Sequence, residues 1–81
     1  MHNSTKQTLR KIYNLILEED ELEAKNLFLS LKLVDTAEHL SFVDSERYLI
    51  WDLYEYLILK NIQYINREQL ISELESYLVN E

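Results

Sequence analysis

An all-α fold, a compact bundle of four main helices plus one short helical turn, is what this sequence predicts, and three observations predict it. The 81 residues include no Gly and no Pro, where average usage would supply roughly ten of the two together. Two-residue hairpins lean on Gly or Asn-Gly for their positive-φ turns, and neither is present. Apolar residues recur at helical spacing through most of the chain. Finally, cap residues stand at the breaks: Asp20 with Glu23, Asp35 with Glu38 and Asn66 with Gln69 each have N-cap to N3 spacing.

The first helix is expected from Asn3 or Ser4, either of which can accept a backbone N–H, to about Glu18. Leu9, Ile12, Tyr13 and Ile16 form its stripe, widened by Leu15 and Leu17. The second starts at the Asp20 cap, with Ala24, Leu27, Phe28 and Leu31 inward and clustered acids at the positive end of its dipole. Residues 27–34 also alternate with period 2, as a strand would. Leucine favours helix, Val34 is the one β-branched residue there, and the best partner, Ile62 to Ile65, is very short, so helix is the preferred reading.

A short turn over Asp35 to Leu40 follows, and Ser41, Asp44 and Ser45 offer caps for a longer helix over Ser45 to Lys60. In it Ile50, Leu53, Tyr54 and Leu57 share one face, whereas Asp52 and Glu55 mark the opposite one beside Tyr48 and Leu59. Leu49, Trp51, Tyr56 and Ile58 fall on the flanks, giving an apolar arc wider than one neighbour requires. Tyr54 and Trp51 are expected in the core. Asn61 ends the helix, and the last one begins after Asn66, burying Leu70, Ile71, Leu74, Tyr77 and Leu78.

Hydrophobic residues make up 47% and charged residues 28% of the chain, the mix of a folded domain rather than a disordered tail. With no internal repeat and no long linker, a single domain over residues 1–81 is expected. The absence of Cys excludes disulfides, thiolate metal sites and a Cys nucleophile. The opening Met1-His2-Asn3-Ser4-Thr5-Lys6 runs into an amphipathic stretch, and no 18-residue apolar run occurs, so a cytoplasmic protein is expected, neither secreted nor membrane-spanning.

Catalytic motifs find little support. His39, Ser41 and Asp44 lie close in sequence, but catalysis needs them convergent beside an oxyanion hole, and Asp44 reads better as a cap. The acidic run from Glu18 to Glu23 lacks the alternating ligands, turn Gly and closing Glu of a calcium loop. Phosphate-binding glycine loops are excluded outright. No enzyme activity, catalytic residue, cofactor or metal is therefore assigned, and an enzyme with an unfamiliar active site stands as the third reading, behind two binding ones.

Charge is unevenly placed. Lys6, Arg10 and Lys11 stand in residues 1–17 without an acid, leaving all 15 acids and the other five bases to residues 18–81. The basic start gives an alternative reading, a small DNA-associated regulator contacting nucleic acid through Lys6, Arg10 and Lys11, but the acidic body repels phosphate. Six of the nine aromatic residues are Tyr, and Tyr48, Trp51, Tyr54 and Tyr56 crowd one segment. Exposed Tyr and Trp give large contact area while tolerating water, as at protein interfaces.

The leading expectation is a small acidic protein-interaction module: a regulator, inhibitor or immunity-type protein of bacterial or phage kind. Tyr48, Asp52, Glu55 and Leu59, joined by Glu19 and Glu23, would bind a protein partner, with a basic or nucleic-acid-binding protein as the narrower expectation, or form a homodimer. In size, acidity and helical content the chain resembles the immunity proteins that neutralise colicin-type nucleases, without a counterpart of their Tyr-Tyr-Pro motif. Its opening, Lys6-Gln7 to Tyr13-Asn14, is similar to class IIa bacteriocin immunity proteins over less than a fifth of the chain. Neither resemblance transfers binding residues.

Overall fold

The computed structural model describes residues 1–32 and 41–79, and among them every regular element is an α-helix and no strand occurs. The expected turn over Asp35 to Leu40, with His39, lies outside the described residues. Helix α1 spans Asn3–Leu17, α2 Glu21–Leu31, α3 Asp44–Leu57 and α4 Arg67–Val79. Consecutive helices α1 and α2 pack most extensively; α3 lies against α2 and α4, and α4 returns to α1, closing a ring. The radius of gyration is 11.5 Å, close to the roughly 12 Å of a compact chain this long.

Each helix follows from local chemistry, with some shifts in register. His2 rather than Asn3 or Ser4 is the cap residue of α1, its carbonyl accepting from Lys6 N–H at 3.0 Å. Thr5, Leu9, Ile12 and Ile16 are buried at spacings of four, three and four, and Leu17 is exposed instead of widening the stripe. The turn after α1 is a Schellman motif: Asp20 N–H bonds Leu15 O at 2.9 Å, Glu19 N–H bonds Ile16 O at 3.1 Å, and Glu19 takes φ 63°. Asp20 then caps α2 through its side chain, accepting Glu23 N–H at 3.3 Å as the spacing predicts. Of the ambiguous run, residues 27–31 are helical and Lys32 closes α2 at φ 51°. Residues 33 and 34 lie outside the described set.

Helix α3 starts and ends earlier than expected. Val43, not Ser41, Asp44 or Ser45, is its cap residue, and because valine offers no acceptor the compensation comes from Glu46 Oε1, which accepts Val43 N–H at 3.1 Å. At the other end Leu59 N–H reaches back to Tyr54 O at 3.1 Å and Asn61 N–H to Glu55 O at 2.9 Å, with Lys60 at φ 53°. This wide closing turn places Leu59 beyond the helix. The α4 start matches its pattern: Gln69 N–H donates to Asn66 Oδ1 at 2.8 Å and Asn66 N–H to Gln69 Oε1 at 3.1 Å, a reciprocal capping box.

The core joins Leu9, Ile12 and Ile16 of α1, Phe28 of α2, Ile50 and Leu53 of α3, and Leu70 and Leu74 of α4. Trp51 is not in it. The indole is 46% exposed and stacks on half-buried Tyr54 with centroids 5.7 Å apart. The reason is that α2 and α4 cover α3 along Leu49, Ile50, Leu53, Tyr56 and Leu57, rotating the buried arc away from Trp51. No helix among the described residues is long and apolar enough to cross a membrane.

Candidate interaction groove between α3 and α4

The α3 and α4 helices run antiparallel, which two contacts and one shared hollow establish. Near the start of α3, Tyr77 O–H donates to Glu46 Oε2 at 2.6 Å. Two turns on, Glu73 hydrogen-bonds Asp52. Further along, Asp52 and Gln69 border the same hollow. Outside this seam the helices leave two hollows of about 550 and 480 Å³ that share Glu73. Ser45, Tyr48, Leu49 and Asp52 line the α3 side; Gln69, Ser72, Glu73 and Ser76 line the α4 side. Both sets have i, i+3, i+4, i+7 spacing, so the two hollows form one groove between two stripes. It stays open because the α4 stripe carries two short serines where larger side chains would close it.

The rims are aromatic. Tyr48 is 69% exposed, Tyr64 stands over the second hollow, and Tyr77 borders the first. Two acidic points lie in the groove, and they differ. Glu46 is fully engaged: Oε1 takes Val43 N–H, and Oε2 takes Tyr77 O–H and lies 3.2 Å from the Met1 ammonium. Burial pushes its pKa up, but Tyr77, Val43 and the ammonium outweigh this and hold the carboxyl below the ordinary value. Asp52 and Glu73 instead face each other. Burial and the contact with Asp52, both through the hydrogen bond and through its charge, push Glu73 up to about 7, so protonated Glu73 donates to Asp52 near neutrality. Tyr64 O–H also donates to Asp52, and this bond with the surrounding acids raises the phenol pKa.

This geometry corrects part of the sequence reading. Tyr48, Asp52 and Glu55 do lie along one side of α3, but Asp52 and Glu55 are only 6% and 8% exposed. Their side faces α4 and the 58–66 connection, where Asn61 Nδ2 donates to Glu55 Oε2 at 3.1 Å and Tyr64 reaches Asp52. Tyr48 is exposed as expected, and Leu59 is exposed on the connection. Glu19 and Glu23 are exposed at the α1–α2 junction, and Glu19 is occupied with closing a helix. Lys6 sits at the mouth of the first hollow. It also lines a third, shallow hollow of about 380 Å³ with Asn3, Gln7 and Arg10, while Lys11 is exposed.

Glu73, Tyr64 and Glu46 were not legible as site residues. The first two meet Asp52 only through tertiary packing, and no local spacing announces it. Glu46 had a signal, its N3 position, which Val43 in place of a polar cap residue obscured. Ser41 and Asp44 are exposed, and Asp44 pairs with Arg47 at 3.6 Å. Among the described residues no group of three His, Cys, Asp or Glu side chains could hold a metal ion. The chain matches no protein-family model, no curated protein and no solved structure at a significant level of similarity, so the groove is read from its own residues.

Proposed function

We propose that this protein is a small binding module, a regulator or inhibitor that acts by occupying another protein through the α3–α4 face. The observation that carries this reading is the open groove edged by Tyr48 and Tyr64, with Trp51 exposed one turn from Tyr48. Large aromatic surface left in water is stabilised by a partner that covers it, and Tyr and Trp dominate interface energetics. The acidic body adds electrostatic selection for basic surfaces and speeds their encounter.

The test is affinity capture from the native host with the wild type and with a Tyr48→Ala/Trp51→Ala double variant. Both side chains are largely in water, so the variant keeps its helical circular dichroism, with Tyr48→Ala costing about 0.5 kcal/mol or less and Trp51→Ala about 0.5–1.5 kcal/mol through the lost stacking on Tyr54. A specific protein retained by the wild type is lost from the variant. The same proteins retained by both would overturn the reading. The hollow lined by Lys6 and Arg10 supports the nucleic-acid alternative; retention on DNA at low salt, abolished by substituting Lys6, Arg10 and Lys11, would put that reading in its place.

A further inference from the structure

The groove contains one place where charge is unmatched. Glu46 has its donors, whereas Asp52 and Glu73 have each other, with Tyr64 O–H added from the connection and Glu55 acting on that phenol through space. Lys6, the basic residue bordering the groove, lies in the first hollow with Glu46 and Tyr77, and no ion pair joins it to Glu73 or Asp52 among the described residues. Two carboxylates in contact cannot both ionise without cost, and a cation between them removes that cost. The surroundings suit one: Tyr48 in the first hollow and Tyr64 in the second offer faces along which the stem of a long side chain packs, and aromatic faces attract cations.

We infer that the α3–α4 groove seats a basic segment of a partner protein, with one arginine or lysine side chain entering between Asp52 and Glu73. The inference rests on the binding-module reading and names the partner's chemistry. Charge complementarity selects the occupant, since residues 18–81 hold all 15 acids and only five of the eight bases. Length points the same way: from Ser45 to Asp52 the groove follows two turns of α3, about 10 Å, room for two turns of a docked helix but more than a single free cation would fill. Helix-in-groove recognition uses this geometry, with anchors at i, i+3, i+4 and i+7. Lys6 at the far mouth sets a polarity, favouring an acidic group on the segment two turns from its basic anchor.

Charge balance gives the seat a signature. The entering cation replaces the proton on Glu73, and that proton leaves to solvent. With Glu73 titrating at about 7, binding near pH 6 releases most of one proton, binding near pH 8.5 releases almost none, and affinity rises with pH between them.

The experiment uses a short helical peptide of Ala, Leu and Gln with one central arginine, and the same peptide with neutral citrulline in its place. Titration calorimetry in two buffers of different ionisation enthalpy measures affinity and proton release together. The arginine peptide binds at least about tenfold tighter, because a charge-assisted hydrogen bond contributes about 1.5–3 kcal/mol. Glu73→Gln, a substitution in the groove lining, keeps the fold by circular dichroism, abolishes the proton release and lowers the preference for the arginine peptide severalfold, to what the Asp52 carboxylate alone supplies. Equal binding of the two peptides to the wild type, binding of neither, or a preference undiminished by Glu73→Gln would each overturn the inference. If host-protein capture through Tyr48 and Trp51 persists in that case, the binding-module reading stands with a different specificity; if that capture fails, the module reading falls whatever the peptides do.

Discussion

Glu19, Lys32 and Lys60 occupy left-handed backbone, at φ 63°, 51° and 53°, because a chain without glycine still has to close its helices. Glu19 fills the position where the Schellman motif favours Gly, and Lys60 turns the chain out of α3. A side chain with a Cβ loses about 1–2 kcal/mol there, part of which Gly gives back through its greater freedom in the unfolded chain. Glu19→Gly and Lys60→Gly are each expected to stabilise the fold by about 0.5–1 kcal/mol. Urea unfolding checks this, with each midpoint moving up at unchanged slope. Both residues are exposed, so the gain comes from the backbone and not from altered packing.

Arg67 shows how the elements are tied to one another. It is the sole base of α4 and stands at that helix's first position, the end where a macrodipole disfavours positive charge. Its placement serves α1 instead: Nη2 donates to Ile16 O at 3.1 Å and Leu17 O at 3.4 Å, meeting carbonyls that α1 leaves without helical partners. Close by, Tyr56 O–H donates to Glu21 Oε1 at 2.5 Å, joining α3 to α2. Burial first, and then the Glu21 carboxylate, pushes the Tyr56 pKa up to about 12 despite the opposing charge of Arg67. All four helices are thus pinned at one end of the bundle. Arg67→Ala is expected to cost about 2 kcal/mol in chemical denaturation, the range of a hydrogen bond from a charged donor. Arg67→Lys recovers only part of it, since a lysine lacks the planar fork. None of these bonds is legible in the sequence, because the Arg67 pair spans 51 and 50 residues and the Tyr56 bond 35. The helices themselves were legible, and the Asp20–Glu23 and Asn66–Gln69 caps were correctly placed, since these depend on neighbours three or four apart. The side of α3 that carries Asp52 and Glu55 was misread for the complementary reason: helical periodicity records apolar side chains, and these two acids are buried by a connection and a helix that arrive later in the chain.

At the scale of the whole molecule, stability reflects two buried-edge acids with opposite titration behaviour under a net charge of −7. Glu46 has a lowered pKa, so its contribution is present above the ordinary glutamate range and is lost as pH falls through the folded value. Glu73 has a folded pKa of about 7, raised above an unfolded value of 4.5. Between those two values the native state binds more protons than the unfolded chain, which makes the slope of stability against pH negative. The contribution is full below 4.5, declines as pH rises through 7, and is flat beyond. Melting temperature is therefore expected to fall from about pH 5 and level off by about pH 8, most steeply near pH 6 midway between the two values, with a second loss at acid pH from Glu46. The measurement is the difference between wild type and Glu73→Gln at each pH, which cancels every other titrating group. That difference favours the wild type near pH 5 relative to pH 8. Asp52→Asn should flatten the profile only in part, because it removes the facing charge and its contact while burial, the largest cause of the raised Glu73 pKa, remains. Equal pH profiles for wild type and Glu73→Gln would mean that Glu73 ionises at the same pH folded and unfolded, and the groove would then have no proton for a basic segment to displace.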